Sequence, residues 1–148
     1  MGKFLYCDSC FLITFYQDGK LASLSQYKDQ FYISETQIKG ELIRPDDLAT
    51  IVRQSVSVIE TDRDEIKEKT KEFAELYEAL SFYDCLCMAY SSLDGYCLIT
   101  DDKTLKKKCA IHNIETKTSK DIEDEFLSGG DVILNEPKER QNEGLVLS

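Results

Sequence analysis

Apolar and polar residues come in blocks along this chain, and their spacing switches between the period of a strand and that of a helix. Lys3–Cys7 reads as a buried strand ended by Asp8. Phe11, Leu12, Phe15 and Tyr16 follow at helical spacing, with Ser9 as the expected cap and Asp18-Gly19 as the break. Residues 21–29 read as a second, more polar helix. Phe31-Tyr32-Ile33 is a short strand, and Ser34 caps a helix that carries Ile38, Leu42 and Ile43. Arg44-Pro45 closes that helix, because the residue before a proline avoids the helical region. Pro45 then opens another, with Leu48, Ile51 and Val52 on one side.

The alternation continues. Val56–Ile59 fits a strand, and Thr61-x-x-Asp64 resembles a capping arrangement ahead of a long helix through about Leu80. Its expected inner stripe is Ile66, Phe73, Leu76, Tyr77 and Leu80, with its charges on a solvated face. Ser81 starts a further helix containing Asp84, Leu86, Met88 and Ala89, ended near Asp94-Gly95. A strand at 96–99, a helix at 102–110 and a strand at Ile114–Lys117 complete the core. Strands alternating with helices predict an α/β fold, a three-layer α/β/α sandwich around a mostly parallel central sheet. Past about Phe126 the pattern fails at Gly129-Gly130 and Pro137. Residues 1–127 are therefore expected to form one domain. Residues 128–148 are expected as a tail that stays loose, docks on a partner, or adds an edge strand at Val132–Leu134.

At 148 residues, 42% of them hydrophobic and 31% charged, the chain can bury a core without disulfides or structural metal. No run approaches the roughly 18–20 apolar residues that cross a bilayer, and no secretory signal follows Met1-Gly2-Lys3. A cytoplasmic protein with no membrane partner is expected. Its cysteines, Cys7, Cys10, Cys85, Cys87, Cys97 and Cys109, then read as reduced thiols. Cys7-x-x-Cys10 has redox or zinc-like spacing, yet a second pair of that spacing is missing. The net charge of −10 argues against a tight nonspecific grip on nucleic acid, although not against a nucleic-acid enzyme whose carboxylates hold cations. The lone His112 follows a predicted helix and has no histidine partner, so a Ser-His-Asp triad or multi-histidine metal site is hard to assemble.

The stretch Tyr96-Cys97-Leu98-Ile99-Thr100-Asp101-Asp102 sets two adjacent carboxylates where a buried strand ends. One suffices to cap the next helix, which leaves the other over. In an open parallel sheet, ligands bind beyond the carboxyl ends of the strands, and Asp8 also sits at such an end. Glu41 lies toward the end of the helix after the second strand, and Asp84 in the first turn of its helix among Phe82, Tyr83 and Leu86. Each acid alone reads as a cap or a surface charge. Their ordered recurrence points to a shared site.

The stretches "FLYCDSCFLI", "FYISETQIKGEL", "LSFYDCLCMAYSS" and "YCLITDDKTLKKKCAIHNI" resemble the PIN-domain nuclease family and frame most of residues 3–115. The resemblance matches Asp8 to the family's first acid, Glu41 in Gly40-Glu41-Leu42 to its second, Asp84 after Ser81 to its third, and Asp102 in Thr100-x-Asp102 to its fourth. Glu41 is preferred to Glu35, which sits beside the capping Ser34. What the resemblance implies is Mg²⁺- or Mn²⁺-dependent hydrolysis of RNA phosphodiester bonds, with Asp8, Glu41, Asp84 and Asp102 catalytic. Asp8, Asp84 and Asp102 are the implied metal ligands, assisted by Asp101, with Glu41 a ligand or a water orienter.

Hard divalent cations take oxygen ligands, and four packed carboxylates repel one another unless cations neutralise them. Thr100 is expected to orient a carboxylate or to bind phosphate. Lys103 and Lys106, with Lys107 and Lys108, are expected either to steer RNA or to form a solvated helix face. Small single-domain members resembling this chain are toxin ribonucleases of the VapC type, so a protein antitoxin and a homodimer are implied partners. The alternative is a PIN-like scaffold or protein-binding module without catalysis. A receiver-like signalling domain has its acidic pair after the first strand, the wrong order here, and a thiol-based metal or redox protein would rest only on Cys7 and Cys10.

Overall fold

The computed structural model describes residues 4–127, whose five short strands are separated by helices. Strand β1 (Leu5–Cys7) leads to α1 (Ser9–Gln17) and, through a 3-10 segment at Leu21–Gln30, to β2 (Phe31–Ser34). Helices α2 (Glu35–Glu41) and α3 (Leu48–Ser55) precede β3 (Ser57–Ile59). Helices α4 (Asp64–Leu76) and α5 (Phe82–Asp94) precede β4 (Cys97–Ile99), and α6 (Lys103–Ile111) precedes β5 (Thr116–Lys117).

The strands lie in the order β3-β2-β1-β4-β5, and every neighbouring pair is parallel. From β1 the chain builds outward through β2 to β3, then crosses to β4 on the other flank of β1. The direction of building thus reverses between β1 and β4, where open parallel sheets form a crevice beyond their carboxyl ends.

Parallel strands buried on both faces read as continuous apolar runs, and β1 and β4 do. Tyr6 and Leu98 point into a cluster with Ile66 and Phe73 of α4, Leu86 and Tyr90 of α5, and Leu105 and Cys109 of α6. Leu5, Cys7, Cys97 and Ile99 take the opposite face by the two-residue strand period and are buried as well. Phe11, Leu12 and Phe15 of α1 and Leu48 and Val52 of α3 are also buried. The result is the expected α/β/α sandwich, its sheet wholly rather than mostly parallel.

Several element boundaries differ from the sequence reading. Asp8, in extended backbone, holds the N-cap position of α1, so Ser9 is the first helical residue and its hydroxyl is used elsewhere. Residues 21–30 wind as a 3-10 segment interrupted at Tyr27 rather than as an α-helix. The Arg44–Pro45 peptide is cis, and α3 begins only at Leu48. Thr61 caps nothing: Arg63 is the N-cap residue of α4 and Asp64 its first helical residue. That helix stops at Leu76 because Tyr77 leaves helical geometry (φ −131°, ψ 87°), so its inner stripe is Ile66, Thr70 and Phe73. Leu76 is 61% exposed rather than part of the stripe.

Helix α5 has the anticipated start and stop. Ser81 and Asp84 form a reciprocal capping box, and Gly95 closes the helix at φ 77°, a conformation that favours glycine.

The described residues from Thr118 on belong to a second compact unit. Helix α7 (Ser119–Ile122) is capped by a Thr118–Asp121 box and followed by a π-helical turn at Glu123–Leu127. The expected tail at 128–148, with its edge strand at Val132–Leu134, lies outside the described residues. Among the described residues, no helix is long and apolar enough to cross a membrane.

Candidate metal centre

Asp8 stands where β1 ends, and its N–H bonds the carbonyl of Ile99, joining the carboxyl ends of β1 and β4. Its side chain is 6% exposed, and Oδ2 accepts a hydrogen bond from Thr100 Oγ1 at 2.7 Å. Burial pushes the Asp8 carboxyl up to about 6. The Thr100 hydrogen bond opposes that shift, and the nearby charges of Asp84 and Glu41 add to it. Thr100 is itself fully buried, and its hydroxyl also accepts the Asp102 N–H at 3.1 Å. Of the two roles expected for Thr100, the one these bonds support is orienting a carboxylate, since its hydroxyl has no face open to phosphate.

Glu41 is the last residue of α2, and its Oε1 accepts from Ser9 Oγ at 2.6 Å. Its carboxyl is held up by burial, lowered in part by that bond, and raised again by Asp84. Just before it, Gly40 lets the Tyr83 ring lie directly on α2: a Cβ at position 40 would sit 1.9 Å from Tyr83 Oη. This close approach seats the start of α5, and with it Asp84, beside the end of α2. Glu35, the other acid of that helix, is committed instead to Arg53 through a two-point contact at 2.5 and 2.7 Å.

Asp84 Oδ2 accepts from the Ser81 N–H at 3.1 Å, and Asp102 Oδ1 from the Leu105 N–H at 3.0 Å. The division of labour expected for the 101–102 pair therefore changes. Asp102, anticipated as the ligand, is also the residue that caps α6, while Asp101 is exposed beside it.

The four acids leave four separate segments, and the charge of each is felt at one thiol. Cys10, in the first turn of α1, is exposed, and its thiol is raised by partial burial and then by Asp8, Glu41, Asp84 and Asp102. Among the described residues, no three acid, histidine or cysteine side chains stand close enough together to grip one ion as they are. Each acid is engaged by at least one hydrogen-bond donor of its own. By donor chemistry the set still fits Mg²⁺ or Mn²⁺, being all carboxylate oxygen without imidazole.

The remaining candidates disperse. Lys103 is exposed at the first position of α6 and Lys106 is half-buried, while Lys108 lies over the Tyr77 ring at 4.9 Å from its centroid. Cys7 is fully buried whereas Cys10 is exposed, and all six thiols are free. His112 is 2.6 Å from the Tyr77 hydroxyl. A groove of about 310 Å³ between α4 and α5, lined by Thr70, Ala74, Phe82 and Leu86 among others, contains none of the four acids.

Sequence reasoning misses the supports of the site: Ser9 reads as a cap, Tyr6 as an ordinary strand residue, and Gln37 as one polar position among several. The one available signal, Ser34-x-x-Gln37, reads as a capping box. Only half of a box forms, because Ser34 Oγ takes the Gln37 N–H while the Gln37 side chain turns inward.

No protein-family model matches this chain, and neither does any curated protein. Among solved structures, it is similar to PAE2754 from Pyrobaculum aerophilum, with a TM-score of 0.56 and 18% identity over 82% of this chain and 93% of that one. At that identity the likeness is one of fold.

Proposed function

We propose that this chain is a divalent-metal-dependent ribonuclease whose cation-holding residues are Asp8, Glu41, Asp84 and Asp102. The observation that supports the reading is a buried Asp8 where the sheet reverses between β1 and β4, its ionisation opposed by the charges of Asp84 and Glu41. Carboxylates that oppose one another's ionisation favour a counter-charge, and a hard divalent cation is the partner their oxygens suit. The resemblance of the four acidic stretches to PIN-domain nucleases supplies the reaction class.

In this reading the chain's own residues bind and orient. Thr100 holds Asp8 through Oδ2, Ser9 holds Glu41 through Oε1, and the backbone N–H groups of Ser81 and Leu105 hold Asp84 and Asp102. A bound Mg²⁺ or Mn²⁺ supplies charge neutralisation at the phosphate and an activated water. Lys103 at the start of α6 and Asp101 are placed in this reading as aids, the first for RNA and the second for the cation. The toxin role, a silencing antitoxin and a homodimer belong to the same reading through the resemblance alone.

The test is cleavage of a mixed RNA pool by the purified protein with Mn²⁺ or Mg²⁺, beside EDTA and Asp8→Asn controls. Activity lost in both controls supports the reading. A folded protein that is inactive with either metal and binds neither in calorimetry would overturn it. That outcome favours the rival, a non-catalytic binding module, for which the existing donor to each acid is the motivating observation.

A further inference from the structure

A chain of hydrogen bonds with only one possible direction runs from the sheet to Glu41. It begins at the Ser34 backbone N–H, which can only donate and does so to Tyr6 Oη at 3.1 Å. The Tyr6 hydrogen is thereby free for Gln37 Oε1 at 2.9 Å, an oxygen that also faces the Cys87 thiol at 3.6 Å. The Gln37 amide is thus oriented without ambiguity, because its Nε2 faces the Cys7 carbonyl, an acceptor only, at 3.4 Å. Its other N–H goes to Ser9 Oγ at 2.8 Å, and the Ser9 hydrogen is left for Glu41 Oε1 at 2.6 Å.

Tyr6, Ser34 and Gln37 are fully buried and Ser9 is 3% exposed. A buried amide is costly unless all its groups are paired, and Gln37 uses both donors and its acceptor. Phe and Met would fill the same space with no polar groups to satisfy, so packing gives no reason for the polar pair. Its one outlet at the surface is Glu41, whose Oε2 has no hydrogen-bond partner among the described residues.

We propose that Gln37 and Ser9 are positioning residues that lock Glu41 as an acceptor-only carboxylate with Oε2 left for a cation, an inference that rests on reading the four acids as a cation site. Outer hydrogen bonds of this kind typically govern about 10- to 100-fold in metal affinity. Neither residue touches the ion itself; both act through Glu41.

The experiment is Mn²⁺ titration of the full chain, followed by electron paramagnetic resonance. Wild type, Ser9→Ala, Gln37→Met and Glu41→Gln are compared, together with each of the first two changes on the Glu41→Gln background. Circular dichroism in EDTA verifies folding, and Ser9→Ala, the smaller change, carries the test if Gln37→Met unfolds. The expected result is that Ser9→Ala and Gln37→Met each weaken Mn²⁺ binding about 10-fold or more and add nothing once Glu41 is Gln. Wild-type binding unchanged in Ser9→Ala overturns the relay alone, as does a loss that persists undiminished on the Glu41→Gln background. No Mn²⁺ binding by the wild type overturns the cation site and the relay with it.

Discussion

Thr100 Oγ1 donates to Asp8 Oδ2 at 2.7 Å between residues 92 positions apart in the chain. The bond joins the residue after β4 to the residue after β1, across the point where the sheet reverses its direction of building. The same hydroxyl accepts the Asp102 N–H, so two of the four acids are indexed to one buried oxygen.

Asp8 makes the metal-free protein less stable as pH rises. Below about pH 4 its carboxyl is neutral folded or unfolded and costs nothing. Between there and its folded value of about 6 the unfolded chain ionises first, the folded state keeps the proton, and stability falls. Above about 6 the cost is constant. Its upper bound is roughly 3 kcal/mol, since each tenfold change in proton affinity is worth about 1.4 kcal/mol. In EDTA, Asp8→Asn should therefore match wild type in urea midpoint near pH 4 and exceed it at pH 7.5. An advantage of the same size at both pH values would contradict this account.

In the proposed reading Asp102 has two separable duties. Asn keeps an oxygen to accept the Leu105 N–H, whereas Ala does not, so Asp102→Ala should lose about 1 kcal/mol of stability and Asp102→Asn much less. Both should lose Mn²⁺ affinity, because neither retains the charge. If the Asn variant binds Mn²⁺ as wild type does, Asp102 is a cap and nothing more.

Gly40→Ala should destabilise, against the direction of helix propensity. Alanine ordinarily gains up to about 1 kcal/mol over glycine inside a helix. Here its Cβ would lie 1.9 Å from Tyr83 Oη, 2.4 Å from Cζ and 2.7 Å from Cε1, and a ring cannot bend away as a flexible side chain does. Overpacking of this kind costs about 1–3 kcal/mol. Guanidinium unfolding of the single variant and of Gly40→Ala with Tyr83→Leu checks the cause: the second change should recover the stability. A more stable Gly40→Ala protein would mean the ring is not held there.

Cys10 reports on the cluster without any metal. Native protein should alkylate with iodoacetamide at this one of its six thiols, since the other five are buried. Its rate at pH 7.5 should lie below that of a free thiol, because burial and four carboxylates disfavour the thiolate. Asp8→Asn, Glu41→Gln, Asp84→Asn and Asp102→Asn should each raise that rate. Rates indifferent to all four would show that the acids do not converge on the start of α1.

The fold is legible where the signals are local. The 97–99 run, the Ser81–Asp84 box and the Gly95 stop follow from neighbours within a turn, and the strand–helix alternation then implies a parallel sheet. Helix ends with no such signal are not legible: nothing within one turn reveals that Tyr77 leaves helical geometry, or that Leu76 faces solvent.

What the sequence by itself determined is the set of acids and their order, because each sits at an element boundary that local chemistry marks. Which residues hold each acid was decided only by tertiary structure. Ser9 reads as a cap because a serine before a helix usually is one, but the return of α2 to β1 gives its hydroxyl a better partner in Glu41, 32 residues on. Thr100, Gln37 and Tyr6 act through bonds that span 28 to 92 positions. Hydrogen bonds reach only about 3 Å, so which donor serves which acid follows from how the sheet stacks its strands, not from spacing along the chain.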